Sequence, residues 1–164
     1  MPPPIQYWFD TLTAIPIVGQ WLFRMVIKYV SPYTVSMKNI KIRTGYCVAE
    51  IEEQTSLKNP FNSIHAAALI NLGEATGGFC VLTMCQKNAE FKGIVKSIHA
   101  DYFKKSKGII TSTSRIEENT PLLKDGVEEG NILVTSELKD KFGDVTCNVK
   151  VEWTIRRIKE KKDL

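Results

Sequence analysis

At 164 residues, 43% of them hydrophobic and 24% charged, the chain is long enough to bury one core and would be crowded as two domains. Its net charge of +4 sits mostly at the end, where Arg156, Arg157, Lys159, Lys161 and Lys162 outweigh Glu160 and Asp163. The body is almost neutral, which argues against a nucleic-acid partner and leaves the tail as a solvated end.

The run Ile5 to Val30 is apolar enough to suggest a membrane span, but Pro16-Ile-Val-Gly19 divides it into two pieces too short to cross a bilayer. Two helices are expected. In the second, Gln20, Arg24, Lys28 and Ser31 form a narrow polar stripe and apolar residues cover the rest, so it should dock on its own domain or on a partner subunit. Peripheral membrane contact through Trp8, Phe9, Trp21 and Phe23 is the lesser alternative. The first twenty residues contain no Lys or Arg, and Asp10, Pro16 and Gln20 interrupt the apolar stretch, so no secretory signal is read. The expectation is an intracellular protein, in the cytoplasm, with an organelle left open.

After Ser31-Pro32 the period changes. Met37, Ile40 and Ile42, the pair Thr44-Gly45, and then Cys47, Ala49 and Ile51 alternating with polar neighbours predict a hairpin. Asn59-Pro-Phe-Asn-Ser-Ile-His65 is a polar approach to a helix over Ile64 to about Met84, which Asn62 or Ser63 could cap. The first-turn amides of that helix point outward, where a carbonyl oxygen could use them. Gly73, Gly77 and Gly78 cost about 1 kcal/mol each relative to Ala, so packing must stabilise the helix, and its slim girth suits the middle of the domain. Strands are predicted over Gly93–Phe103, Gly108–Ile116, Asn131–Leu138 and Val145–Ile158. In the last, Cys147, Val149, Val151, Trp153 and Ile155 alternate with polar residues, so one face is buried. The four cysteines, Cys47, Cys80, Cys85 and Cys147, have neither C-x-x-C spacing nor clustered histidines, and buried reduced thiols are expected. The order of elements gives an α+β domain, an antiparallel sheet curved around one central helix.

This layout, together with Asn59, His65-Ala66-Ala67 and Glu74, resembles the hotdog fold of thioesterase-like proteins and within it the DUF4442 branch, over roughly Ser36 to Arg157. The expected division is a helical segment over 1–35, a hotdog domain over 36–158 and a basic tail over 159–164. The resemblance implies an acyl-CoA thioesterase. The amide near Ala66 and Ala67 would polarise the thioester carbonyl, and Glu74 of a second subunit would act as general base or nucleophile. Asn59 would orient the water or the carboxylate, His65 would position the helix start, and Ser97 is a candidate at the substrate. Ala66 and Glu74 are eight residues apart, about 12 Å along a helix, so a homodimer, or a tetramer built from it, is required. No metal or other cofactor is expected, coenzyme A arriving with the substrate, and its phosphates would meet surface lysines such as Lys104, Lys105 and Lys107.

Each residue also has a plainer reading: Glu74 as an ion-paired interface carboxylate, His65 as a structural histidine, Asn59 as a turn residue before Pro60, His99 as a strand residue without a partner. The sequence departs from the related pattern where Gly-Gly is replaced by Ala66-Ala67, which adds methyl groups beside the carbonyl's path. The alternative function is therefore a non-catalytic acyl-CoA or lipid-binding protein.

Overall fold

The leading apolar stretch breaks where the sequence predicts, giving α1 (Ile5–Thr13) and α2 (Gly19–Val30). The computed structural model describes residues 5–15, 18–30, 36–87, 91–117, 120–123 and 125–158, so the basic tail over 159–164 and parts of the 1–35 segment lie outside the described residues. Phe9 and Phe23 meet edge to face with ring centroids 5.0 Å apart, and Phe23 is fully buried. Trp8 and Trp21 stay exposed. The four aromatics considered for membrane contact are thus split, two turned inward and two outward. The polar stripe of α2 does not simply face water either, because Gln20 Nε2 donates to the Ile40 carbonyl at 3.1 Å.

Six strands follow in one antiparallel sheet: β1 (Lys38–Arg43), β2 (Tyr46–Glu52), β3 (Phe91–Tyr102), β4 (Ile109–Arg115), β5 (Glu129–Asp140) and β6 (Val145–Arg157), in the order β1-β2-β4-β5-β6-β3. Thr44-Gly45 forms the β1–β2 turn, with Gly45 at φ +66 and its carbonyl accepting from Ile116 N at 2.7 Å. A side chain there would meet the Ile116 carbonyl oxygen at 2.2 Å, so both conformation and space call for glycine. The chain passes from β2 to β3, at the opposite edge, through α3 (Ala66–Lys87), which packs on the concave face of the curved sheet. Alternation places Cys47, Ala49, Ile110, Val134, Leu138, Val149, Val151 and Ile155 in the core beneath it. A stretch of this helix, Ala66–Gln86, is long and apolar enough to cross a membrane by length and composition, but 67% of its apolar window is buried inside the fold, as befits a core helix.

Close approach explains its small residues. A Cβ on Gly73 would stand 2.5 Å from Val149 Cβ, a branch point that cannot swing aside. Overpacking of this kind costs about 1–3 kcal/mol, against the ~1 kcal/mol that Ala gains over Gly in a helix. Gly73→Ala is therefore expected to lower the melting midpoint, by roughly 2–4 °C per kcal/mol of net loss for a chain of this size. An unchanged or raised midpoint in a thermal melt would contradict this packing.

The interface also holds a buried hydroxyl cluster that periodicity does not reveal. Thr76 Oγ1 lies 2.7 Å from Ser112 Oγ and accepts from Ser114 Oγ at 3.1 Å, Ser114 and Ser136 are hydrogen-bonded, and Ser136 Oγ donates to the Gly73 carbonyl at 2.5 Å. All four residues are essentially inaccessible, and each hydroxyl finds the partner that burial demands.

Candidate functional site

The segment before α3 is held at both ends, with Ile64 N donating to Ser106 O at 2.9 Å and His65 N to Leu57 O at 2.7 Å. Within it Asn59 Oδ1 accepts from Phe61 N (3.0 Å), Ser63 N (3.2 Å) and Ser63 Oγ (3.2 Å). Asn62 takes the left-handed conformation, φ 53, and accepts from Lys58 Nζ at 3.2 Å. These residues shape the loop, and neither Asn62 nor Ser63 caps the helix. The helix starts later than that expectation requires, and the cap is His65, whose Nδ1 accepts from Ala67 N–H at 3.1 Å. An accepting Nδ1 puts the proton of the neutral ring on Nε2. The His65 carbonyl takes the amides of Ala68 and Leu69. Among the described residues, Ala66 N–H has no hydrogen-bond partner. Tyr102 Oη donates to the Ala66 carbonyl at 3.2 Å, tying the end of β3 to this turn.

A groove of about 340 Å³ opens at the helix start, lined by Phe61, Ala66, Tyr102, Phe103 and Lys105 among others. Of the three lysines considered for phosphate contact, Lys104 is committed to Asp140 (2.7 Å) and Asp144 (2.6 Å), whose hydrogen bonds hold its pKa above the ordinary value. Lys107 lies within the electrostatic reach of Glu53. Lys105 faces the groove.

Glu74 sits two turns along α3 on a partly exposed stripe with Ala66, Ile70 and Gly78. It is half-buried, makes no hydrogen bond or ion pair among the described residues, and burial raises its pKa above the ordinary 4.5. Its Oε1 lies 3.7 Å from the point where a Cβ on Gly78 would stand, and the Trp153 ring lies 3.4 Å from the same point. A half-buried carboxylate without a partner among the described residues is poised to take a proton. Because α3 runs unbroken from Ala66 past Glu74, about 12 Å of helix separates the free amide from this carboxylate. One chain does not bring them to a common atom.

The structure does not bring Ser97 to this group either. Pairing of β3 with β6 slips between Val95 and Ser97, a bulge at Lys96. Strict alternation from Val95 would turn Ser97 toward α3; the extra residue instead aligns Ser97 with Glu152 on the outer face, where its Oγ donates to Glu152 Oε2 at 3.2 Å. Ile98, opposite the buried Val151, takes the inner face and is still 42% exposed, because it belongs to the edge strand. His99 has a partner that the sequence did not reveal, Asp101 Oδ1 at 2.9 Å, also on the outer face.

Among the described residues no group of three or more His, Cys, Asp and Glu could hold a metal ion. The four cysteines are free and buried, and desolvation lifts their thiols, Cys80 to about 12 and Cys85 and Cys147 to about 11.

Residues 19–155 match the model of a family described as a domain of unknown function, DUF4442. Among solved structures, the chain is similar to PA5026 of Pseudomonas aeruginosa, described as a protein of unknown function and probable thioesterase, at 19% identity and TM-score 0.67, over 96% of this chain and 99% of that one. A mutant of the thioesterase enzyme SAV0944 from Staphylococcus aureus aligns at 18% identity and TM-score 0.58, covering 80% and 98%. The E. coli PaaI protein, from the phenylacetic acid degradation operon, aligns at 11% identity and TM-score 0.60, covering 80% and 92%. At these identities the likeness establishes the fold. No curated protein matches the chain.

Proposed function

This chain belongs to the DUF4442 family and has the hotdog fold, and from that premise we propose that it is an acyl-CoA thioesterase acting as a homodimer. The observation that carries the reading is Glu74, a half-buried carboxylate with a raised pKa and no partner among the described residues. The Ala66 N–H of one subunit donates to the thioester carbonyl, and the N-terminal end of the helix dipole favours the oxyanion that develops there. Glu74 of the other subunit takes a proton from the attacking water and passes it to the departing thiolate as the C–S bond breaks, or attacks the carbonyl itself, expelling the thiolate, which takes a proton from solvent, and leaving an anhydride that water hydrolyses to the free acid and the restored carboxylate. Water is the second substrate, and the chemistry calls for no cofactor.

Supporting roles follow from the hydrogen bonds. Asn59 holds the loop that presents the helix start, and His65 takes the Ala67 amide, which leaves Ala66 as the donor. Lys105 is the cation best placed for a phosphate of coenzyme A at the groove. The two edges of the sheet differ in a way that supports dimerisation. At β1, Gln20 covers an edge carbonyl, whereas β3 is a 12-residue edge strand with Ile94 and Ile98 exposed. Such an edge is a ready surface for pairing with a second copy. A second reading, acyl-CoA or lipid binding without turnover, draws on the exposed Ala66 and Ala67, whose methyl groups narrow the approach to the amide.

Purified protein incubated with short-, medium- and long-chain acyl-CoAs is expected to release free thiol, and sedimentation at the assay concentration is expected to give a dimer. Saturable acyl-CoA binding without release would favour the second reading. A monomer that turns over substrate would sink the shared site.

A further inference from the structure

We propose that Gly78 and Trp153 select the acyl group, by framing an apolar cleft beside the Glu74 carboxylate that receives the acyl chain; this rests on the thioesterase reading above. A glycine in the middle of a helix is destabilising relative to Ala, so its presence calls for a reason. At Gly73 the fold requires it, since a Cβ would stand 2.5 Å from Val149. At Gly78 the fold does not. The backbone there is not left-handed, and a Cβ would meet nothing nearer than Trp153 Cη2 and Cζ2 at 3.4 Å and Glu74 Oε1 at 3.7 Å, which is ordinary contact. What the missing methyl leaves is space between a carboxylate and an indole edge.

The opposite side of the indole is closed. Trp153 Cε3 lies 3.6 Å from the Cβ position of Gly93, where Val81 and Ile155 already crowd at 3.0 and 3.2 Å. The ring is 9% exposed, and its Nε1 has no hydrogen-bond partner among the described residues, so packing alone holds it. Val95, opposite Trp153 on β3, and Ile98 beyond the bulge continue the apolar wall toward the open edge. An apolar chain attached to a carbonyl at Glu74 finds its nearest hydrocarbon-like surface here.

The test compares wild type, Gly78→Ala and Trp153→Phe for hydrolysis of acetyl-, hexanoyl- and palmitoyl-CoA, with a thermal melt of each. Because Ala fits and favours the helix, Gly78→Ala should melt no lower than wild type. Its palmitoyl-to-acetyl rate ratio should fall about 10-fold or more, the scale on which a hydrophobic pocket discriminates one methylene. Trp153→Phe should move the ratio the other way. An unchanged ratio in Gly78→Ala, with wild type active, overturns the cleft and leaves the thioesterase reading standing. If wild type hydrolyses none of the three, that reading fails, and calorimetric titration with the same acyl-CoAs judges the cleft: a length-dependent loss of affinity in Gly78→Ala supports it, and equal affinity or no binding overturns it.

Discussion

Replacing Glu74 with glutamine is expected to lower thioester hydrolysis by roughly 10²- to 10⁴-fold, the range for losing a positioned base, while the fold and the dimer persist. The side chain keeps its size, and among the described residues it makes no hydrogen bond or ion pair that the amide would break. The pH dependence supplies an independent check. Burial raises the pKa of Glu74 above its ordinary 4.5, so the base form, and with it the rate, should rise with pH through a value above that figure. The sign for stability is opposite. A folded state that binds this proton more tightly than the unfolded chain is favoured below the ordinary pKa and loses that advantage as pH rises through the raised one. Glu74→Gln should remove this part of the slope of stability against pH. A variant as active as wild type would exclude Glu74 from the reaction; a variant that fails to fold would make it a structural carboxylate.

The second large effect is expected from Ala66→Pro. Ala66 is the first residue of α3, directly after the His65 cap, and proline is favoured at that position because its amide has no helical partner to lose. The residue before it must stay out of the helical region, as a capping residue usually does. The substitution therefore deletes the one N–H assigned to the thioester carbonyl and little else. Losing an oxyanion donor costs roughly 10²- to 10³-fold in kcat, and circular dichroism should show the helix intact. Co-expression with the Glu74→Gln chain makes the stronger test. Each mixed dimer would contain one undamaged site, Ala66 from one chain and Glu74 from the other, so random pairing should restore about a quarter of wild-type activity. No recovery in isolated mixed dimers would refute a site shared between subunits.

The elements themselves were legible because their periods are strong. The Pro16–Gly19 break, the Thr44-Gly45 hairpin, the small-residue helix and the alternation of Cys147 to Ile155 all fall where the structure has them. Single displaced residues were harder to read. Val95 and Ile98 are inner residues three apart, which signals an inserted residue between them, but only a pairing partner shows that the insertion turns Ser97 outward. His65 caps through a ring nitrogen, outside the usual Ser, Thr, Asp and Asn preference. Gln20 reads as a solvent residue until the Ile40 carbonyl is placed beside it. Glu74 could be picked out because a carboxylate among Gly, Ala and Leu is out of place, yet its lack of a partner is a three-dimensional fact.

A slim helix lying on a smooth apolar sheet could roll or slide at little cost, since dispersion contacts have no preferred direction. The hydroxyl cluster removes that freedom. Thr76 is latched to Ser112 and Ser114, and Ser136 to the Gly73 carbonyl, each through a bond that weakens steeply off its line. Successive residues turn 100° around a helix, so Thr76 points about 200° away from Glu74. Locking one against the sheet aims the other away from it. The bearing of the carboxylate is thus set by four hydroxyl groups that never meet solvent, like the hand of a clock fixed from behind its face.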